Sequence, residues 1–324
     1  MRLSLRRGAM LLGAIVGLGL VAIFAVRLDW LEFRRAMLGV SWAWVAAGAF
    51  ALLLSISVRA MRWLVISADK ASASYPAYWS ATVIGYVGNA LYPGRAGEIL
   101  RAASLHHAIR MPPGSALATA FMDRMADIVG LGIVALYVII VVARGRVADT
   151  TLCSVLAFAI ACVAVFIGVL FFGQKAQRPI ARAASVLPKR WAERLPQWYS
   201  QAVAACRQFA TPKRLAGALA FTVSAFVIDY GALWFFIRAF DWHLPLQAAI
   251  TVGVFLAIGS LLPAAPGYVG IYQVACVLAL HLHGIAETAA LAYSVVAQVT
   301  TLAVISVSGV VAAWRQGMHF GSAP

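Results

Sequence analysis

Six stretches of the sequence, 8–26, 41–66, 114–143, 151–173, 214–240 and 286–314, are apolar over about 19 to 30 residues each. A helix needs about 20 such residues to cross a bilayer's hydrocarbon core. A helix that is apolar on every side must lie in lipid or deep in protein. Of the 324 residues, 63% are hydrophobic and only 11 are acidic. The fold predicted is therefore an all-α polytopic membrane protein with about six full spans, forming a single membrane domain over 1–324. No polar stretch is long enough to fold as a soluble catalytic domain.

Two more apolar stretches, 77–109 and 247–283, are interrupted by Pro and Gly. The first breaks within YVGNALYPGRAGEILR at Pro93-Gly94, where the backbone loses a donor and gains a flexible joint. Broken helices persist at membrane depth only where protein or a water-filled cavity satisfies the freed backbone groups. Each stretch is predicted to be a re-entrant hairpin that returns to its own side.

With the N-terminus inside, this topology puts 19 of the 26 Lys and Arg in cytoplasmic segments. The decisive piece is 174–214, where nine basic residues face only Glu193. It reads as a basic cytoplasmic loop whose interleaved Ile180, Trp191, Trp198 and Tyr199 suit short amphipathic helices at the inner interface. Both termini are then cytoplasmic. Segments 1–143 and 151–314 become inverted halves, each with one hairpin, as in many secondary transporters. The hairpin tips Leu91–Gly97 and Leu261–Gly267 share three of seven positions.

The net charge of +15 is spread between spans rather than over one soluble face, so nucleic acid is not the expected partner. Anionic lipid headgroups are. Cys153, Cys162, Cys206 and Cys276 are scattered and predict no disulfide. No Cys/His/carboxylate set has metal spacing, so neither a metal nor a cofactor is expected. The apolar N-terminal run reaches Arg27 without a clear cleavage site and reads as a retained span.

Charge within apolar segments marks the candidate site, because it costs about 3 kcal/mol per group on insertion scales and is usually functional. Arg95, Glu98 and Arg101 recur at helical spacing on one face. Asp123 and Asp127 lie one turn apart with Arg124 beside them, and Asp229 is a lone acid in mid-span. The acids are expected to face the bundle and pair, with Arg95 or Arg101 as the named partners. Asn89 is expected to cap or bridge the first break, among the hairpin residues Pro93, Gly94 and Gly97. At the second, Pro263, Pro266 and Gly267 form the break, and Tyr272 and Gln273 offer only neutral hydrogen bonds. The second half-helices are expected to start at Gly94 and Gly267, where free N–H groups and the positive dipole end suit a phosphate. Arg59 and Arg62 near an inner end, and Arg238 near an outer one, are read as snorkelling.

With GNALYPGRAGEILR, Asp123-Arg124-x-x-Asp127 and PAAPGYVGIYQ, nearly the whole chain resembles the lysylphosphatidylglycerol synthase transmembrane family, flippase-like membrane proteins. The resemblance implies that Arg95, Glu98, Asp123, Arg124 and Asp127 line a lipid headgroup cavity. As the chain stops at Pro324, it also implies translocation without synthesis. The expectation is a non-enzymatic lipid flippase or transporter of the bacterial inner membrane, moving an anionic or lipid-linked substrate between leaflets. A homodimer, or a lipid-biosynthesis enzyme, is the protein partner to look for. Two other classes stay open. One is a small-solute or ion carrier; the other is a prenyltransferase-type enzyme using Asp123-x-x-x-Asp127 on magnesium diphosphate.

Overall fold

The computed structural model describes residues 29–67, 74–92, 96–142, 164, 168, 173–186, 188–260 and 265–317. These form eleven α-helices and, among the described residues, no strand. Four helices are long and apolar enough to span: α2 (Trp42–Ser67), α5 (Pro113–Tyr137, prolonged by a π turn Val138–Val142), α8 (Pro212–Ala239) and α11 (Glu287–Arg315). The chain is a multi-pass all-α membrane protein. Of the six predicted spans, 8–26 and, but for Ala164, Gly168 and Gly173, 151–173 lie outside the described residues.

Both interrupted stretches are pairs of short helices packed on each other. The first is α3 (Tyr75–Leu91) with α4 (Gly97–Ile109), and the second α9 (Leu246–Gly259) with α10 (Ile271–His281). At about 1.5 Å per residue these run roughly 17 to 26 Å, short of the roughly 30 Å a full crossing needs. Around them the contacts repeat: α2 packs on α3 and α4 on α5, while α8 packs on α9 and α10 on α11. The turn Pro266–Tyr268, at the second hairpin's tip, packs on α3 of the first.

The most extensive helix pair is α2 with α8. They run antiparallel, because the Ser41 amide at the start of α2 donates to the Ala239 carbonyl at the end of α8 (2.8 Å). Gly48 allows the close approach: a Cβ there would meet the Phe236 ring at 2.5 Å. The first hairpin depends on the same device. A Cβ on Gly97 would stand 2.0 Å from the Gly85 carbonyl oxygen.

Three further helices flank this core. At α1 (Trp30–Leu38) the Asp29 carboxylate caps the first turn, accepting from the Leu31 and Glu32 amides at 2.9 and 3.0 Å. The basic loop is helical too: α6 (Gln177–Ala184) leads into α7 (Lys189–Phe209). Rather than several short helices, α7 is one helix that continues through Pro196. Its middle rests on the start of α5, where Gln201 accepts from the Gly114 amide (2.9 Å). Burial against α5 and α8 raises the Cys206 thiol on α7 to about 11.

Candidate functional site

Eight charged side chains from four helices converge inside the bundle. α2 supplies Arg59 and Arg62, α4 supplies Glu98 and Arg101, α5 supplies Asp123, Arg124 and Asp127, and α8 supplies Asp229. Four guanidinium and four carboxylate groups cancel, so the cluster is formally neutral.

It has two layers. The deeper one centres on Asp123, which is fully buried and takes Arg62 Nε on one oxygen (2.8 Å) and Arg101 Nη2 on the other (2.9 Å). Arg62, itself fully buried, also reaches Asp127 (2.7 Å), the Thr222 hydroxyl (3.2 Å) and the Asp123 carbonyl (3.2 Å). The Arg101 guanidinium lies over the Trp63 ring, 4.0 Å from its centroid, and Trp63 donates to the Thr119 hydroxyl (3.1 Å).

The second layer faces a cavity. Arg59, Glu98, Arg124, Asp127 and Asp229 line a space of about 660 Å³ with Tyr86, Phe226, Ser260 and Thr301. Arg59 bridges Asp127 to Asp229, the latter at 2.5 Å, and so ties α5 and α8 to α2. Arg124 pairs with Asp127 (2.9 Å) and lies 3.3 Å from Glu98. Counted by layer, the deep set carries one net positive charge and the cavity-facing set one net negative charge. Ser260 and Thr301 bring α11 and the end of α9 to the same space, which helices of both hairpins therefore line.

The site residues expected from sequence fall into three groups. Glu98, Arg101, Asp123, Arg124, Asp127 and Asp229 are brought together, and Arg101 is a partner of Asp123. Asn89 accepts from the Gly97 amide (3.0 Å) and donates to Glu98 (3.4 Å), so it caps α4 across the break. Arg95, Pro93, Gly94 and Pro263 lie outside the described residues.

Two expectations are corrected. Arg59 and Arg62 do not snorkel. The acids of α5 and α8 hold them inward, with side chains 12% and 0% exposed. Nor do the second half-helices begin at Gly94 and Gly267. α4 starts at Gly97 and α10 at Ile271. In the second tip Gly267, Tyr268 and Gly270 all have positive φ (73°, 60° and 87°), which keeps the helix from forming before Ile271. The exposed dipole end expected there is closed by side chains. Gln273 accepts from the Gly270 amide (2.7 Å) and donates to Gln298 (2.5 Å), which donates to the Gly267 carbonyl (2.8 Å). The Tyr272 hydroxyl lies near Thr301, which lines the cavity wall.

Sequence reasoning missed Arg59, Arg62, Tyr86 and Phe226. For the arginines a signal was present. Gly48, Ala51, Ser55, Arg59, Arg62 and Ile66 follow one another at three- and four-residue steps, so both arginines continue the small-residue stripe that packs α2 inward.

Residues 10–309 match the family model described as the lysylphosphatidylglycerol synthase TM region. Neither a curated protein nor a solved structure matches the chain.

Proposed function

The chain belongs to the lysylphosphatidylglycerol synthase transmembrane family, and from that membership and the charged cavity we propose that it is a lipid transporter or flippase. It moves a lipid with a polar headgroup between the leaflets of a bacterial inner membrane. The observation that carries this reading is the cavity of about 660 Å³. Its wall offers cations and anions side by side at membrane depth, where charge is costly even when paired and is usually functional. Arg124 and Arg59 suit a phosphate, while Glu98, Asp127 and Asp229 suit an amine or carry protons.

An alternating-access cycle is supported by the antiparallel α2–α8 pair and by the matching contacts of the two hairpins. The inverted halves 1–143 and 151–314 would rock about that pair, with both termini and the basic helices α6 and α7 on the cytoplasmic side. No nucleotide-binding motif is present in the sequence, so the drive is a proton, the membrane potential or the lipid gradient. The prenyltransferase alternative loses support at Asp123, which is enclosed by Arg62 and Arg101 and has no exposed surface with which to hold magnesium.

The test is a dithionite-quench flip assay on purified protein in liposomes containing fluorescent phospholipid. Asp127→Asn and Arg124→Gln are expected to lower the initial rate by about tenfold or more, the loss of one charge-assisted contact in the transition state. Wild-type rates in both variants, each folded by size-exclusion profile, would remove the charged cavity from the pathway.

A further inference from the structure

A second hollow runs along the outside of the charged cavity. It lies between α5 and α8, has a volume of about 540 Å³, and is lined by apolar side chains with no charged residue. On α8 its edge is Leu215, Leu219, Val223 and Val227, one residue per turn and all exposed. On α5 it runs from Met122 to Tyr137, about 22 Å at about 1.5 Å per residue. Along that length it is an elongated apolar trough, open at its α8 edge, a shape that suits an extended hydrocarbon chain.

Among the described residues, one side chain borders both spaces. Phe226 lines the apolar groove and the charged cavity alike. Its ring stacks on Tyr230 (5.8 Å between centroids), faces the Arg59 guanidinium at 5.7 Å, and fills the space that the missing side chain of Gly130 leaves on α5. A Cβ on Gly130 would stand 2.4 Å from that ring.

We propose that the groove between α5 and α8 holds one acyl chain of the lipid whose polar head occupies the charged cavity, with Phe226 as the wall where head and tail paths join. This rests on the lipid-transport reading above. It adds the direction from which the lipid enters: sideways, between α5 and α8, with the tail remaining in the bilayer's apolar layer while the head crosses. A small solute or an ion would need no such groove.

The full chain is placed in phosphatidylcholine vesicles doped with phosphatidylglycerol that carries a diazirine in mid-chain. After photolysis, labelled peptides are compared between the groove (Ile133, Tyr137, Val227) and the lipid-exposed face of α11 (Val307, Val310). Groove labelling is expected to exceed α11 labelling. It should fall about tenfold in Arg124→Gln, which removes a head contact, and also in Val223→Trp, which fills the groove from an exposed position and does not threaten folding. Labelling of α11 should stay unchanged in both. Equal labelling of both faces, insensitive to either variant, means annular lipid only and overturns the proposal. So does a disulfide between Val227→Cys and native Cys153 or Cys162, which would seat the chain's own 151–173 segment there. Lipid flipping is read on the same vesicles. Intact groove labelling without flipping would count against the transport reading alone.

Discussion

The charge network makes its sharpest prediction at Arg62, which sequence placed at a membrane surface and the structure places in the core. Arg62→Met keeps the stem and removes the guanidinium. Asp123 then loses the Arg62 Nε bond at 2.8 Å, Asp127 loses a partner at 2.7 Å, and the buried cluster carries one uncompensated negative charge. Removing one partner of a fully buried pair costs about 3–5 kcal/mol, because the remaining charge stays desolvated. Arg238→Met is the matched control. Arg238 sits in the last turn of α8, 5.8 Å from the ring centroids of both Trp44 and Trp234, and its loss should cost about 1 kcal/mol. Stability is read from SDS titration in mixed micelles by loss of helix ellipticity.

A second variant separates charge balance from packing. Arg62→Met combined with Asp123→Asn restores neutrality while removing more hydrogen bonds than the single change. If desolvated charge dominates, the double variant is more stable than Arg62→Met alone by about 1–3 kcal/mol. Equal losses for Arg62→Met and Arg238→Met, both near 1 kcal/mol, would falsify the buried network and return Arg62 to the interface.

Two other predictions test the scaffold around the site. Gly97→Ala should destabilise the first hairpin by about 2 kcal/mol or more, because its methyl would meet both the Gly85 carbonyl and Asn89 Oδ1 (2.5 Å). A thermal midpoint unchanged from wild type would show that α3 and α4 are not in contact there. Cys206, alone in a variant with the other three cysteines replaced, should react with N-ethylmaleimide at neutral pH about 100-fold more slowly than after SDS denaturation. Its thiol is raised from 9.0 to about 11, leaving about 100-fold less thiolate. Rates within about tenfold would place α7 away from α5 and α8.

Apolar length and period were enough to locate the four described spans and both interrupted stretches, because helix formation in lipid leaves few alternatives. The same reasoning found the acids. A carboxylate in mid-span has no route to water, so Asp123, Asp127 and Asp229 had to face inward and pair. It failed for Arg59 and Arg62 for a physical reason. A long cationic side chain near a helix end has two low-energy solutions, outward to headgroups or inward to acids. Position along one helix cannot choose between them. What chooses is the placement of α5 and α8, which the acids themselves help to fix. Phe226 left no trace in sequence either, since a phenylalanine on an apolar helix looks the same whether it separates two cavities or meets lipid.

The two hairpins solve one backbone problem with different chemistry, and that difference bears on mechanism. In the first, Asn89 caps α4 and thereby holds Glu98 and Arg101 in the ion network. In the second, Gln273 and Gln298 close the break with neutral groups alone. Seven of the eight clustered charges belong to helices of the first half, and Asp229 is the one from the second. The ion pair of Arg59 with Asp229 is thus the cluster's charged link across the α2–α8 interface. On the rocking model proposed above, a headgroup that competes for either partner loosens that link, whereas competition for Glu98 or Arg124 leaves it intact. Neutralising Asp229 should therefore change which side of the cavity is open, while neutralising Glu98 should change only how tightly the head is held.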